Sequence, residues 1–265
     1  MLNRLLKYDL RRTLKFLLIF MILALFFSGL TRLIGTFSDS LAMEIIKGIC
    51  NGTAISMICS LFINCFMRSW VMFRSALYGD ESYLTHTLPV KRESHYASKA
   101  LAAMISLVVC MMATIGTLFV MYWSDGLKAY LQGFLQFFSQ YLDVPEWSIV
   151  AFAFSILYLE FYNMLQCGFT GIILGHRFNH SKILFSVLLG FGAYMITQVF
   201  AILIMLVIGL MNSDMMKVFH TADFSQFKPD VLVAFALIGT ALYLAFSIAG
   251  FVINARLLKK GVNVD

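Results

Sequence analysis

The chain has 265 residues, of which 60% are hydrophobic and 13% charged, and its mean hydropathy is +0.84. Soluble domains rarely exceed about half apolar residues, so this composition excludes an ordinary soluble domain and favours an all-α membrane protein. The net charge of +6 does not indicate nucleic-acid binding, because in a membrane protein the positions of the basic residues matter more than their sum.

Six apolar runs have the length of about 20 residues that a helix needs to cross the hydrocarbon core of a bilayer. They cover residues 16–37, 45–67, 100–123, 148–174, 183–211 and 231–254. Six crossings return the chain to its starting side, and that side holds fifteen Lys and Arg residues against three on the other. By the positive-inside rule, we expect a single transmembrane domain of residues 1–265 with both termini cytoplasmic.

The segment before the first run, residues 1–15, has leucines at helical spacing on one side and basic side chains on the other. This pattern predicts an amphipathic helix that lies in the cytoplasmic headgroup region. The basic residues also serve to orient the first span, and the two interpretations are compatible.

The second run carries a small or polar residue at every fourth position. These residues are Gly48, Gly52, Ser56, Ser60 and Asn64. Small residues at this spacing let two helices approach closely, so we interpret the stripe as a helix-packing seam, with contact to a substrate as the alternative.

A polar, charged segment of residues 78–94 separates the second and third runs. Gly79 permits the preceding helix to end, and Asp80 is a good N-cap for a short helix that begins at Glu81. Pro89 disfavours helix at Leu88 and so ends the short element. The sequence predicts a short cytoplasmic helix between the ends of two long helices; the alternative is a solvated loop that binds nothing.

Residues 126–142 repeat apolar side chains at the i, i+3, i+4, i+7 spacing of one helix face. We expect an amphipathic helix on the outer surface, anchored at the lipid interface. A contact with amphipathic cargo on its way out is the alternative role for the same face.

Glu160 stands near the middle of the fourth run, where a charged carboxylate exposed to lipid costs about 3 kcal/mol. Asn163 and Cys167 follow at i+3 and i+7 and therefore share its helix face. Two interpretations stay open: the three residues line a translocation path, or they supply hydrogen bonds between packed helices.

His176 and His180 are four residues apart, a spacing that can bind zinc on a helix. No H-E-x-x-H sequence occurs and no carboxylate adjoins the pair, so we predict no metal site here. An intramembrane metalloenzyme remains a minor alternative.

The stretch "GDESYLTHTLPVKRESHYASK", residues 79–99, resembles a segment of type-2 ABC transporter permeases of the exporter type, in particular small permeases of Gram-positive bacteria. Six spans with both ends inside and a basic N-terminal helix fit the same family. The resemblance implies that the short helix is a coupling helix that docks on an ATPase subunit. The residues it assigns to docking are Asp80, Glu81, Tyr83, Leu84, Thr85, Leu88, Pro89 and Val90.

The same resemblance implies the partners and the activity. The chain would be a multi-pass permease of the bacterial cytoplasmic membrane, not itself an enzyme, and would export amphipathic or hydrophobic cargo such as a peptide, a drug or a lipid-like molecule. It would pair with an ABC ATPase dimer and with a second permease copy, identical or homologous. The sequence contains no Gly-Lys dipeptide and hence no phosphate-binding G-x-x-x-x-G-K-[ST] loop, so ATP and Mg²⁺ would belong to the partner. An ion-coupled secondary transporter is the alternative function.

Overall fold

The structure, a computed structural model, describes residues 2–37, 40–79, 81–87, 92–178, 180–211 and 228–259, without the side chains of residues 84–86. The regular elements in these ranges are α-helices, and no strand occurs among them. The helices are α1 (Leu2–Thr36), α2 (Leu41–Tyr78), α3 (Ser82–Thr87), α4 (Arg92–Tyr122), α5 (Asp125–Leu142), α6 (Glu146–Gly175), α7 (Lys182–Met211) and α8 (Pro229–Lys259).

Six of these helices, α1, α2, α4, α6, α7 and α8, are long and apolar enough to cross a membrane. The prediction of an all-helical protein with six membrane-length helices is therefore confirmed. Each helix covers one of the six apolar runs, to within one residue at the end of the run, and extends beyond it on at least one side.

The helices α1 and α2 are longer than a bilayer crossing requires. They have 35 and 38 residues, and a rise of about 1.5 Å per residue makes them roughly 50–57 Å long against a hydrocarbon core of about 30 Å. Residues 2–15 continue without a break into the apolar part of α1, so the expected interfacial helix is not a separate element.

The chain divides into two compact units: unit 1, mainly residues 1–129, and unit 2, residues 130–263. In unit 1, α1 packs against both α2 and α4. Near one end of the helices, Ser98 of α4 donates to the carboxylate of Asp9 of α1. Near the other end, Ser28 donates to the carbonyl oxygen of Thr117. The helices α1 and α4 are therefore parallel and keep one register along their length.

One buried cluster in unit 1 consists of small and medium side chains. Leu17, Leu61, Cys65 and Cys110 are buried together, with partly buried aromatic and aliphatic side chains around them. The five cysteines of the chain are free thiols, four of them buried, which fits their use as small apolar residues.

In unit 2, α6 packs against α7 and α8. The α6–α7 contact is close, because a Cβ built on Gly171 would collide with the backbone of Ser186 and Gly190. Thr170 of α6 donates to the side-chain carbonyl of Asn254 of α8 at 2.8 Å, and this hydrogen bond connects α8 to α6. Apolar side chains cover much of the exposed surface of α7, as expected for a helix in contact with lipid.

The helix α5 covers the outer amphipathic segment expected at residues 126–142 and begins one residue earlier. None of its side chains is buried. Tyr130, Phe134 and Phe137 are among its exposed aromatic residues.

Candidate functional site

The connection between α2 and α4 contains the helix α3 at the place where a short helix was expected. Gly79 follows α2 in an extended conformation, and Ser82 then donates its backbone N–H to the carbonyl oxygen of Gly79 at 2.8 Å. The short helix begins at Ser82 rather than at Glu81. Asp80, the expected N-cap, lies outside the described residues.

The structure describes only some of the residues that the resemblance assigns to docking. The side chain of Tyr83 is 67% exposed on α3. Leu84 and Thr85 belong to α3, but their side chains lie outside the described part of the chain. Leu88, Pro89 and Val90 also fall outside it.

Glu81 is held by Arg12 of α1. The two guanidinium nitrogens of Arg12 donate to the two carboxylate oxygens of Glu81 at 3.1 and 2.9 Å, which is a bidentate ion pair. The hydrogen bonds from Arg12 hold the pKa of Glu81 below its usual value, against a weaker effect of desolvation. The pair fixes the start of the α3 segment to the N-terminal part of α1.

A second ion pair lies one helical turn away on α1 and is buried. The carboxylate of Asp9 accepts from Nζ of Lys99 at 3.1 Å and from the hydroxyl of Ser98 at 2.7 Å. The side chains of Asp9 and Lys99 are only 9% and 10% exposed. Because a buried charge is costly unless it is paired, each of the two charges requires the other.

A small cavity of about 10 Å³ adjoins this buried pair. Its lining is Asp9, Thr13, Ser69, Met72, Lys99, Ala102 and Ala103. The volume suits about one water molecule, and the polar lining could satisfy one. The cavity is far too small for a cargo molecule.

Asp9, Arg12, Glu81, Ser98 and Lys99 together form what we call the basic-end cluster. Asp9 and Arg12 are three residues apart and so project from one side of α1. Through them, α1 binds the residue before α3 and the first two turns of α4. The three long helices of unit 1 are thus joined at the end that carries the α3 segment.

The predicted packing seam of α2 lies away from the helices of its own unit. The residues of α2 that pack inside unit 1 include Cys50, Ala54 and Ile58, two positions further along than the seam. Gly48, Gly52 and Ser56 are exposed, and Ser60 and Asn64 are half-buried. Apart from the neighbouring backbone of α2 itself, no described atom lies within 4 Å of a Cβ built on Gly48 or Gly52.

The structure brings Glu160, Asn163 and Cys167 together on the side of α6 that meets α7. The amide of Asn163 donates to the hydroxyl of Thr197 at 3.0 Å, and the thiol of Cys167 lies 3.9 Å from the amide oxygen of Asn163. The hydroxyl of Tyr194 lies 3.4 Å from a carboxylate oxygen of half-buried Glu160, which is long for a hydrogen bond.

A second polar network in unit 2 joins α6 and α8. The amide of Asn254 donates to the backbone and side-chain oxygens of Gln166, both at 3.1 Å, and Gln166 donates to the hydroxyl of Tyr162 at 2.6 Å. Asn254 and Gln166 are at most 1% exposed. The side-chain oxygen and nitrogen of both residues are hydrogen-bonded, as expected of polar side chains that hold helices together.

The two histidines lie in different surroundings. His176 is buried, and its Nδ1 lies 2.8 Å from the carbonyl oxygen of Ile172, while His180 is exposed. Among the described residues, no three His, Cys, Asp or Glu side chains come together as metal ligands would.

Sequence reasoning did not identify Asp9, Lys99 or Tyr194 as parts of a site. Asp9 could have been identified, because it is the only acidic residue among the first 15. A single carboxylate in a row of basic residues suggests an ion pair. Tyr194 could not have been identified, because a tyrosine in an apolar run is ordinary.

No protein-family model, curated protein or solved structure matches the chain. The described residues define a class of protein: they form an all-helical fold with six helices of membrane-spanning length, as a multi-pass membrane protein has.

Proposed function

We propose that the chain is the transmembrane permease subunit of an ATP-driven exporter, and that α3 and its flanks receive force from a separate ATPase subunit. The observation that carries this proposal is the bidentate pair between Arg12 and Glu81. It supports a role for α3 as a fixed contact surface, because a loop that binds no other protein does not require an ion pair with another helix to hold it in place.

Charge favours the cytoplasmic side for this surface. The N-terminal part of α1, the end of α2 and the start of α4 carry many of the basic residues, which the positive-inside rule assigns to the cytoplasm. An ATPase that uses cellular ATP must act there.

The basic-end cluster supplies the mechanical link that such a mechanism needs. Closure of an ATPase dimer would move α3, and the movement would reach α2 and α4 along the chain. The ion pairs of Arg12 and Asp9 would transmit it to α1 as well. Packed helices respond to force as rigid bodies, so displacement at this end would reach the far end of unit 1. The cargo would be amphipathic or hydrophobic, and a second copy would complete the transporter in the bacterial cytoplasmic membrane.

A secondary, ion-coupled transporter is the second candidate, and Glu160 at mid-helix is the observation that favours it. Carboxylates in this position commonly carry protons or ions across membranes. Transport that survives depletion of ATP but stops when the ion gradient is dissipated would select this candidate.

The proposal is tested by asking whether an ATPase subunit co-purifies with the chain. The tagged chain is isolated from membranes of its native host, and Mg-ATP hydrolysis in the purified sample is measured for wild type, Tyr83→Asp and Tyr130→Asp. Both tyrosines are about 70% exposed, on α3 and α5, so neither change should disturb the fold.

We expect ATP hydrolysis in the wild-type and Tyr130→Asp samples. The Tyr83→Asp sample should lack it, because a carboxylate placed in an apolar contact between α3 and the ATPase would disrupt that contact. Hydrolysis that accompanies none of the three proteins, or all of them equally, would contradict the proposed docking surface.

A further inference from the structure

A belt of polar side chains crosses unit 2 halfway along its three long helices. Glu160 is the fifteenth of 30 residues in α6, and Tyr243 is the fifteenth of 31 in α8. Tyr194 and Gln198 lie within three residues of the middle of α7. If these helices cross the bilayer, all four side chains lie near its centre. We call them the mid-helix belt.

Contacts between helices connect the belt. Glu160 of α6 faces the hydroxyl of Tyr194 of α7, and Gln198 follows Tyr194 by one helical turn. The amide oxygen of Gln198 accepts from the hydroxyl of Tyr243 of α8 at 3.0 Å. A carboxylate, an amide and two phenols from three helices therefore converge.

Unlike the network of Gln166 and Asn254, the belt leaves polar groups without good partners. The amide nitrogen of Gln198 is buried and makes no hydrogen bond of ordinary geometry with the described residues, although its side chain approaches the hydroxyl of Tyr194. The contact from Tyr194 to Glu160 is long. Interhelical bonding alone would favour saturation, as in the network of Gln166 and Asn254, so the belt retains polar groups that a ligand can bind.

The charge of Glu160 is also unbalanced. No basic side chain in the described part of unit 2 forms an ion pair with it. The described basic residues of unit 2, such as Arg177, Lys182 and Arg256, stand at or near helix ends. A lone carboxylate near the middle of a membrane attracts a cation or a proton.

We propose that the mid-helix belt binds an amphipathic organic cation, with the carboxylate of Glu160 as its counter-ion. The rings of Tyr194 and Tyr243 offer the aromatic surfaces that favour ammonium and phosphonium groups. An apolar surround suits the hydrophobic part of such a molecule. The inference rests on the proposed function in one respect, that the bound cation is a cargo, and it narrows the cargo to cationic molecules.

A pair of ions of equal size and opposite charge tests the site. The full-length protein is placed in nanodiscs of zwitterionic lipid, without any ATPase, and binding of tetraphenylphosphonium and tetraphenylborate is measured by equilibrium dialysis. Empty nanodiscs give the lipid background. We expect saturable binding of the cation and only background binding of the anion.

Two variants assign the binding to Glu160. Glu160→Gln removes the charge and should weaken phosphonium binding about tenfold or more, because charge attraction is strong away from water. Glu146→Gln removes a carboxylate from the exposed first turn of the same helix and should bind as wild type does. Equal binding of the cation by wild type and Glu160→Gln would overturn the proposal.

Wild-type protein alone provides a second measurement, which does not depend on the folding of a variant. Dicyclohexylcarbodiimide modifies carboxyl groups in apolar surroundings, and mass spectrometry locates the product. Phosphonium should protect Glu160 from modification, and tetraphenylborate should not. Equal modification with and without phosphonium would reject the site, whereas the co-purification result bears separately on the ATPase.

Discussion

Asp9 and Lys99 form a buried ion pair, 3.1 Å between Oδ1 and Nζ, that joins the N-terminal part of α1 to the second turn of α4. Ser98 donates to the other carboxylate oxygen, so the carboxylate is bound at both oxygens. Arg12, three residues further along α1, pairs with Glu81 beside α3. One side of α1 thus binds the chain on both sides of the α2–α4 connection, at Glu81 and at Lys99.

The first prediction concerns the stability of this buried pair. Asp9→Ala leaves the ammonium of Lys99 buried without its partner, and such changes cost about 3–5 kcal/mol. We expect a large fall in thermal unfolding temperature of the protein in detergent. The double variant Asp9→Ala/Lys99→Met should recover much of the loss, because it removes both charges.

A matched control separates the pair from a general effect of lost charge. Asp125 is exposed in the first turn of α5, so Asp125→Ala should cost at most about 1 kcal/mol. If the double variant were as unstable as Asp9→Ala, packing rather than unpaired charge would explain the loss.

The second prediction concerns force transmission through Arg12 and Glu81. Their side chains are 35% and 42% exposed, so the pair contributes only about 0–1 kcal/mol to stability. Arg12→Glu should therefore leave folding nearly intact but reduce cargo-stimulated ATP hydrolysis. Arg12→Glu/Glu81→Arg restores opposite charges and should restore stimulation. A charge-swapped protein no better than Arg12→Glu would show that the pair does not transmit force.

The third prediction is a pH dependence. The pKa of Glu81 is lowered from its reference value of 4.5, chiefly by hydrogen bonds from Arg12. A carboxyl with a lowered pKa contributes stability that is fully present above its unfolded pKa and is lost as pH falls through the folded pKa. Wild type should therefore exceed Glu81→Gln in unfolding temperature by a constant small margin from pH 8 to about 5.

Below pH 4.5 that margin should shrink, since protonation of Glu81 makes wild type resemble the amide variant. Unfolding scans of both proteins across this range provide the measurement. A margin that widened in acid would mean that the pKa of Glu81 is raised, not lowered.

The sequence predicted the fold better than it predicted the site, for a physical reason. Membrane-length apolar runs must form helices, because lipid offers no partner for backbone groups, so α1, α2 and the other long helices were predictable. The ion pair between Arg12 and Glu81 joins residues 69 positions apart, and no local pattern encodes such a contact. Glu160 was identifiable because a charge in an apolar run is conspicuous, whereas Tyr243 was not.

The packing seam of α2 shows that periodicity in a sequence identifies a spacing of small residues but not the helix that packs against them. Gly48 and Gly52 recur as a close helix contact requires, yet within unit 1 the buried stripe of α2 runs through Ala54 and Ile58. Gly171 and Gly175 of α6 do make a close contact, with α7. Both pairs have the same i, i+4 spacing, so spacing alone does not distinguish them.

The fourth prediction is the side of the membrane that α3 faces. Tyr83→Cys and Tyr130→Cys place thiols at exposed positions on α3 and α5. A membrane-impermeant maleimide applied to intact cells should modify the second variant only, and opened membranes should allow modification of the first. Wild type, whose cysteines lie within membrane-length helices, gives the background. Modification of Tyr83→Cys in intact cells would exclude contact with a cytoplasmic ATPase.

The fifth prediction concerns the close contact of α6 and α7. A Cβ at Gly171 would meet backbone atoms of Ser186 and Gly190, which cannot move aside as a flexible side chain can. Gly171→Ala should therefore destabilise the protein by about 1–3 kcal/mol, despite the better helix propensity of alanine.

Gly192 provides the control, because it lies in α7 and a Cβ there meets no described atom within 4 Å apart from the neighbouring backbone of α7 itself. Gly192→Ala should be neutral or stabilise the protein by about 0.5–1 kcal/mol, since alanine loses less backbone entropy on folding. Unfolding of both variants in the same detergent gives the comparison. If the two changes had the same sign and size, α6 and α7 would not be in backbone contact, and the path from Glu160 to Tyr194, which depends on that contact, would have to be redrawn.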